Sequence, residues 1–191
     1  LEFRRVLFRS ILVCGLGSIG SYYCRLIKKK WPNYRISILR SGSGLKKKEE
    51  DLADYIFYDK HEAIGWRPDF CIISSPATFH LKQALFFAEN DIPILIEKPI
   101  GVPFQEEELW KKITSISKKI PIFVGYVLRQ DPCAKLVKDY ISTNLIGNLL
   151  EVDFNASSWL PDWRPQIEYK DSVSAKNDLG GGVLLELDRK S

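Results

Sequence analysis

Short apolar runs alternate with longer amphipathic stretches along most of this chain. Ile11 to Cys14 is wholly apolar, and Ser18 to Lys30 follows with Ile19, Tyr22, Tyr23 and Leu26 on one helical stripe, stopped by Trp31-Pro32-Asn33. The pattern predicts a strand and then a helix. Arg35 to Leu39 reads as a second strand, Ser41-Gly42-Ser43-Gly44 as a loop, and Tyr55 to Tyr58 as a short third strand. Phe70 to Ser74 reads as a buried strand broken by Ser75-Pro76, and Thr78 to Asn90 as a helix with Ala84, Leu85 and Ala88 packing inward. Ile92 to Ile96 is the next strand, Phe104 to Lys119 a helix and Ile122 to Val124 the last strand of the set. Strands separated by helices imply an α/β fold, a Rossmann-type doubly wound parallel sheet with both faces covered. Such a sheet takes its ligand at the carboxyl ends of its strands.

The pattern changes after Gly125. Residues 11–125 read as the nucleotide-type domain and residues 126–187 as the beginning of a second, α+β domain. Asp131 to Ser142 has helical spacing, Leu149 to Ser157 alternates as a half-exposed strand does, and Leu160 to Lys176 is polar, aromatic and irregular. Gly180-Gly181-Gly182 then precedes Val183-Leu184-Leu185-Glu186-Leu187, which looks like the start of a helix.

Residues 1–10 and 188–191 alter the charge balance. The first ten back-translate codon by codon to a common short-read sequencing adapter, and Asp188-Arg189-Lys190-Ser191 to the start of its opposite strand, so both segments are set aside as not native. On this reading the gene continued past Leu187. Most of the formal +4 charge lies in those two segments, which leaves no nucleic-acid footprint in the interior. Lys28-Lys29-Lys30 and Lys46-Lys47-Lys48 read as solvated helix ends, the second followed at once by Glu49-Glu50-Asp51. Cys14, Cys24, Cys71 and Cys133 have neither a zinc spacing nor the look of a disulfide framework. No apolar stretch reaches the length of a membrane span. A cytoplasmic protein with no nucleic-acid or membrane partner and no metal is the expectation.

Two motifs carry chemistry. Gly15-Leu16-Gly17-Ser18-Ile19-Gly20 stands between a strand and a helix, the context in which G-x-G-x-x-G binds a dinucleotide: the glycines permit a tight turn and let a pyrophosphate approach the helix N-terminus. The second strand ends Leu39-Arg40-Ser41, with no acid before Glu49. An arginine and a hydroxyl there suit a 2'-phosphate, which favours NADP, with NAD open. Further along, Glu97-Lys98-Pro99 closes the strand Ile92 to Ile96. A lysine where a buried parallel strand ends is a candidate proton donor beside the nucleotide.

The glycine loop, Ser74-Ser75-Pro76-Ala77-Thr78-Phe79-His80, Glu97-Lys98-Pro99, Val124-Gly125-Tyr126 with Arg129, and Gly180-Gly181-Gly182-Val183-Leu184-Leu185-Glu186 together resemble the Gfo/Idh/MocA oxidoreductases, named for glucose-fructose oxidoreductase, inositol dehydrogenase and a rhizopine catabolism protein. The resemblance implies that Glu97 and Lys98 line the nicotinamide pocket, Lys98 helping to move the substrate's proton while hydride passes to or from the ring. It implies that Ser74, Ser75 and Pro76 pass beneath the cofactor, that His80 caps or packs nearby, and that Pro99 sets a sharp strand exit with a plausible cis peptide. Tyr126, Arg129, Trp163 and Arg164 would face a sugar, sugar acid or polyol, and Glu186 would take the place of the family's acid. The family's histidine, one turn further on, would fall in the set-aside residues 188–191. On that basis the chain is expected to be a truncated piece that binds nucleotide without turnover, cut from a parent that is a homo-oligomer. A non-catalytic nucleotide-binding sensor on the same fold is the alternative.

Overall fold

The computed structural model describes residues 9–43, 45–102, 107–153, 155, 159–163, 168–176, 179 and 181–182. The described chain divides into two compact units at Val124–Gly125.

In the first unit the alternation becomes strands β1 (Ser10–Cys14), β2 (Arg35–Leu39), β3 (Tyr55–Phe57), β4 (Phe70–Ile73), β5 (Ile94–Ile96) and β6 (Ile122–Val124). Helices α1 (Ser18–Lys30), α2 (Lys60–Gly65), α3 (His80–Ala88) and α4 (Glu107–Ile116) lie between them. All five pairings are parallel, in the order β3-β2-β1-β4-β5-β6. The order reverses at β1, which pairs with β2 on one side and β4 on the other, so the crevice of a doubly wound sheet opens beyond Cys14 and Ile73. The central strands are buried on both faces. Leu12, Cys14, Cys71, Ile73, Ile94 and Ile96 pack with Ala84, Phe87 and Ala88 of α3 and Ile113 of α4. Val13, Ile36, Ile38 and Ile72 pack with Cys24 and Ile27 of α1 on the opposite face.

Several boundaries differ from the sequence reading, each for a local reason. Sheet pairing begins at Ser10, inside the segment set aside above: the backbone N–H groups of Arg9 and Ser10 each donate to Asp69 Oδ2 at 2.9 Å, and Ser10 Oγ donates to the same oxygen at 2.7 Å. The expected helix from Thr78 is a single 3-10 turn over Ala77–Phe79 before α3 starts at His80. Helix α1 has the expected limits but buries Gly20, Ser21, Cys24 and Ile27, leaving Ile19 and Tyr22 42% and 51% exposed. Small residues on that face let the helix axis approach the sheet. Helix α2 was not anticipated; Asp59 caps it, its Oδ1 accepting from the N–H groups of His61 and Glu62 at 2.8 and 3.1 Å.

The second unit opens with a 3-10 turn over Val127–Gln130 and helix α5 (Pro132–Ser142). Asp131 Oδ1 accepts from Cys133 and Ala134 N–H, and Pro132 fills the first turn, where its missing donor costs nothing. The expected strand over 149–157 does not form among its described residues. A strand needs a hydrogen-bonding neighbour, and no other segment of this unit is a strand among the described residues. Gly181 is buried with its N–H donating to Lys176 O at 3.0 Å. A Cβ there would lie 2.1 Å from Val173 O, which only glycine avoids.

The contrast between the two units is measurable. Phe87→Ala, at a site with no exposed surface, should cost about 3–5 kcal/mol in urea unfolding. Leu136→Ala, on α5 with half its surface exposed, should change stability by no more than about 0.5 kcal/mol.

Candidate functional site

Three strand exits converge at the switch point. The glycine loop leaves β1, Ser74-Ser75-Pro76 leaves β4, and Glu97-Lys98-Pro99 leaves β5. Backbone hydrogen bonds tie them together: Gly15 N–H donates to Leu39 O at 2.9 Å, Ser74 N–H to Cys14 O at 2.8 Å and Glu97 N–H to Ile73 O at 2.9 Å. Ser74 Oγ adds contacts at 3.0 and 2.9 Å to the carbonyls of Cys14 and Gly15. Ser74 thus fastens the end of β1 from the neighbouring strand.

The three glycines do different work. Gly15 has φ +87°, and a Cβ on it would stand 2.8 Å from the Ser75 backbone. A Cβ on Gly20 would stand 2.0 Å from Gly15 O and 2.8 Å from Ser74 Oγ. Gly17 meets nothing within 4 Å, so its bareness serves no contact inside the chain. Gly17 also stands at the N-cap of α1, where no side chain takes the first N–H groups and no acid lies in the first turn. Leu16 is buried beneath the loop while Ser18 and Ile19 are exposed. A bare, uncapped helix start with an open glycine fits a pyrophosphate.

Glu97 is a buried carboxylate, 8% exposed. Tyr23 of α1 donates its phenol to Glu97 Oε1 at 2.5 Å, and Lys98 N–H donates to Oε2 at 3.2 Å. Burial first, then the Glu97 carboxylate, push the Tyr23 phenol well above its ordinary pKa, so it stays a donor. Lys98 is half-buried, and the Lys98–Pro99 peptide is cis. His80 is 2% exposed and bridges the two loops, Nδ1 lying 2.7 Å from Pro99 O and Nε2 2.7 Å from Ser75 O. Ser75 Oγ donates to Gln83 Oε1 of α3 at 2.7 Å. Burial lowers the His80 pKa, opposed by the two carbonyls and the Glu97 charge, which favour the protonated ring.

The end of β2 differs from the expectation that Arg40 awaits a phosphate. Arg40 Nη1 donates to Glu50 Oε1 and Nη2 to Leu45 O at 2.8 Å, with the two side chains only 10% and 7% exposed. Ser41 is exposed, its Oγ 2.8 Å from Ser43 Oγ. The guanidinium expected to wait for a phosphate is already paired within the chain.

The remaining expected residues belong to the second unit. Tyr126 is half-buried and Arg129 exposed, Arg129 N–H donating to Tyr126 O at 3.1 Å within the second unit. Trp163 ends a 3-10 turn over Leu160–Trp163, and Arg164 and Glu186 lie outside the described residues. Sequence reasoning passed over Tyr23, Gln83 and Glu50 as site residues. Tyr23 stood in view on the α1 stripe; Glu50 was hidden in a run of charges, although a glutamate three residues after Lys47 is where a helix-start N–H finds its acceptor. Of the cysteines, Cys14, Cys24 and Cys71 are buried; burial pushes the Cys24 thiol up to about 12 and the Cys71 thiol well above its ordinary range, so neither of those two offers a thiolate. Among the described residues there is no group of three His, Cys, Asp or Glu that could hold a metal, and no helix is long and apolar enough to cross a membrane.

Residues 9–126 match the family described as Gfo/Idh/MocA, oxidoreductase family, NAD-binding Rossmann fold. The chain belongs to the Gfo/Idh/MocA oxidoreductases. Over 83 residues it is 32% identical to the rhizopine catabolism protein MocA of Rhizobium meliloti, an overlap of 42% of this chain and 25% of that protein. Its fold is similar to that of scyllo-inositol dehydrogenase from Lactobacillus casei, solved with NAD(H) and scyllo-inositol, at TM-score 0.63 and 22% identity over 74% of this chain and 43% of that one. The WlbA dehydrogenase of Bordetella pertussis, solved with NADH and UDP-GlcNAcA, gives TM-score 0.63 and 18% identity over 73% and 43%. A levoglucosan dehydrogenase solved with NADH and levoglucosan gives 0.60 and 23% over 74% and 41%. This Gfo/Idh/MocA chain therefore spans about two fifths of those structures' length.

Two expectations follow from the geometry. Gly15→Ala and Gly20→Ala should each destabilise by about 1–3 kcal/mol or more, whereas Gly17→Ala should hold the melting temperature within about 2 °C yet weaken dinucleotide binding about tenfold in a fluorescence titration. For His80, the unfolded chain takes up a proton near the ordinary value of about 6.5 while the folded chain resists it to lower pH. The stability it contributes is complete above that value and drains as pH falls below it. His80→Gln should flatten this part of the stability-against-pH curve; an unchanged slope would mean that His80 is not the group responsible.

Proposed function

We propose that this chain is the nucleotide-binding part of an oxidoreductase that passes hydride between a nicotinamide dinucleotide and the hydroxyl-bearing carbon of a sugar, sugar acid or polyol. The observation that carries the reading is Lys98, placed at the end of β5 beside the switch-point crevice and flanked by two tethered residues: Glu97 held by Tyr23, and Pro99 by His80. Hydride transfer at the nicotinamide ring is chemistry the bound dinucleotide supplies.

The chain's own residues bind, orient and handle the proton. The loop Gly15 to Gly20 and the uncapped N–H groups of α1 receive the pyrophosphate, and Ser74, Ser75 and Pro76 form the floor beneath the dinucleotide. The Lys98 ammonium faces the substrate oxygen, donating a hydrogen bond to the charge that develops there and exchanging its proton. Glu97, engaged by Tyr23, holds the Lys98 backbone rather than reacting. Glu186 as an acid partner, and Tyr126, Arg129, Trp163 and Arg164 as substrate contacts, belong to the same proposal. The substrate class is supported by the ligands named with the similar structures, scyllo-inositol, UDP-GlcNAcA and levoglucosan, which all carry ring hydroxyls. A Rossmann unit up to Val124 followed by a substrate-binding unit, in a homo-oligomeric cytoplasmic enzyme, completes the picture.

Titration of the chain with NADH, NADPH and S-adenosylmethionine, followed by tryptophan fluorescence, tests it. A nicotinamide dinucleotide should bind and S-adenosylmethionine should not; the reverse order would point to a methyltransferase-like site. Lys98→Met should leave the dinucleotide affinity of this chain within about threefold and, in the full-length parent enzyme, reduce polyol-dependent nicotinamide reduction about 10²–10⁴-fold.

A further inference from the structure

We infer that Glu50 is the cofactor-selecting residue of this chain: by holding the Arg40 guanidinium it withholds the one arginine at the end of β2 from a 2'-phosphate, so that the site prefers NAD to NADP. The inference rests on the dinucleotide reading above and names the ligand of that same site.

The adenosine ribose of a dinucleotide is met at the end of the second strand, where an acid favours a free 2'-hydroxyl and an arginine a 2'-phosphate. In this chain β2 ends beside the glycine loop, Leu39 O accepting from Gly15 N–H, and Arg40 follows directly, its own N–H donating to Phe57 O at 2.9 Å. By sequence Arg40 reads as a phosphate ligand. By structure both of its terminal nitrogens are already engaged: Nη1 on Glu50 Oε1 and Nη2 on Leu45 O. The carboxylate is itself fixed, since Oε1 also accepts the Lys47 backbone N–H at 2.8 Å and the residue sits in the 3-10 turn over Lys48–Leu52. The acid that β2 lacks thus arrives ten residues later, folded back onto the strand end.

Two costs then fall on a 2'-phosphate and not on a 2'-hydroxyl. To pair with Arg40 it must break an ion pair nearly closed to solvent and leave Glu50 buried without its counter-charge, which is the expensive way to disrupt such a pair. If Arg40 stays, the phosphate brings close to two negative charges toward the Glu50 carboxylate. Of the neighbouring cations, Lys46 lies 3.9 Å from Asp51 and Arg25 is engaged by Glu49, while Lys47 and Lys48 are exposed, where solvent screens the attraction they offer a phosphate.

Equilibrium titration of the whole chain with NADH and NADPH gives the test. The unaltered chain should bind NADH about tenfold or more tightly than NADPH. Glu50→Gln, which keeps the Lys47 N–H acceptor but removes the charge, should shift that ratio toward NADPH by about tenfold, and adding Arg40→Gln to it should cancel the shift. The double variant Glu50→Gln with Arg40→Gln, which removes both charges and leaves neither buried without its partner, should keep about the NADH-to-NADPH ratio of the unaltered chain, a result that decides the matter even if Glu50→Gln alone folds poorly. Overturning results are tighter NADPH binding by the unaltered chain, or a loss confined to NADPH in the double variant, because both mean that Arg40 already reads the phosphate. If neither dinucleotide binds, the function proposed above falls and this inference with it. If both bind and Glu50→Gln leaves the ratio alone, only the selection by Glu50 is wrong.

Discussion

Gly20 lies so close to the carbonyl of Gly15 that a methyl group on it would stand 2.0 Å from the oxygen, with Ser74 Oγ on the other side. This approach governs the first unit. It brings α1 down onto the sheet along a face of Gly20, Ser21, Cys24 and Ile27, which in turn sets Tyr23 at the distance where its phenol reaches Glu97 beyond β5. The nucleotide loop and the lysine-bearing loop are therefore registered to one another through a helix, and the register begins with the absence of two side chains. Burial of the apolar strands supplies most of the driving force for the sheet, but it does not by itself place one strand exit against another.

Two buried glutamates complete that placement, and they act in opposite ways. Glu97 collects neutral donors, a phenol and a backbone N–H, and orders the residues around it. Glu50 collects a cation and thereby removes it from the surface potential that a ligand would meet. Formal charge counts would score Arg40 as a basic site residue, whereas the local balance at the end of β2 is near neutral. His80 belongs with the first kind of device: it accepts the cost of a buried imidazole between two carbonyls and links the exits of β4 and β5.

Much of this was legible in the sequence because the signals were local. Strands β2 and β6 and helix α1 fall where periodicity placed them, since a period of two or 3.6 survives whatever the rest of the chain does. The motif-bearing exits were legible for the same reason, each being a short run beside a strand. Contacts made at a distance were not. The stripe of Ile19, Tyr22, Tyr23 and Leu26 is a sound helical pattern, yet the sheet takes the neighbouring face because only glycine and small side chains allow the approach at the switch point. Glu50 was unreadable because its partner lies ten residues back across a loop, and α2 because a six-residue helix carries too little periodicity to outweigh its flanks. The strand expected over 149–157 shows the converse: alternation states that a segment could pair, not that a partner exists.

The position of β1 has a consequence for how the molecule is made. It is the first strand among the described residues and also the middle of the sheet, with Ser10 facing Arg35 on one side and Ile11 facing Phe70 on the other. A chain emerging in order would hold this largely apolar segment without a neighbour until β2 follows, and with one flank open until β4 arrives. Parallel partners of such sequence separation must close long loops before any pairing is rewarded. The glycine loop, whose shape depends on Ser74, can acquire its final form only after that second flank is covered. The ligand-binding turn near the start of the sequence is thus among the last parts of the unit to mature.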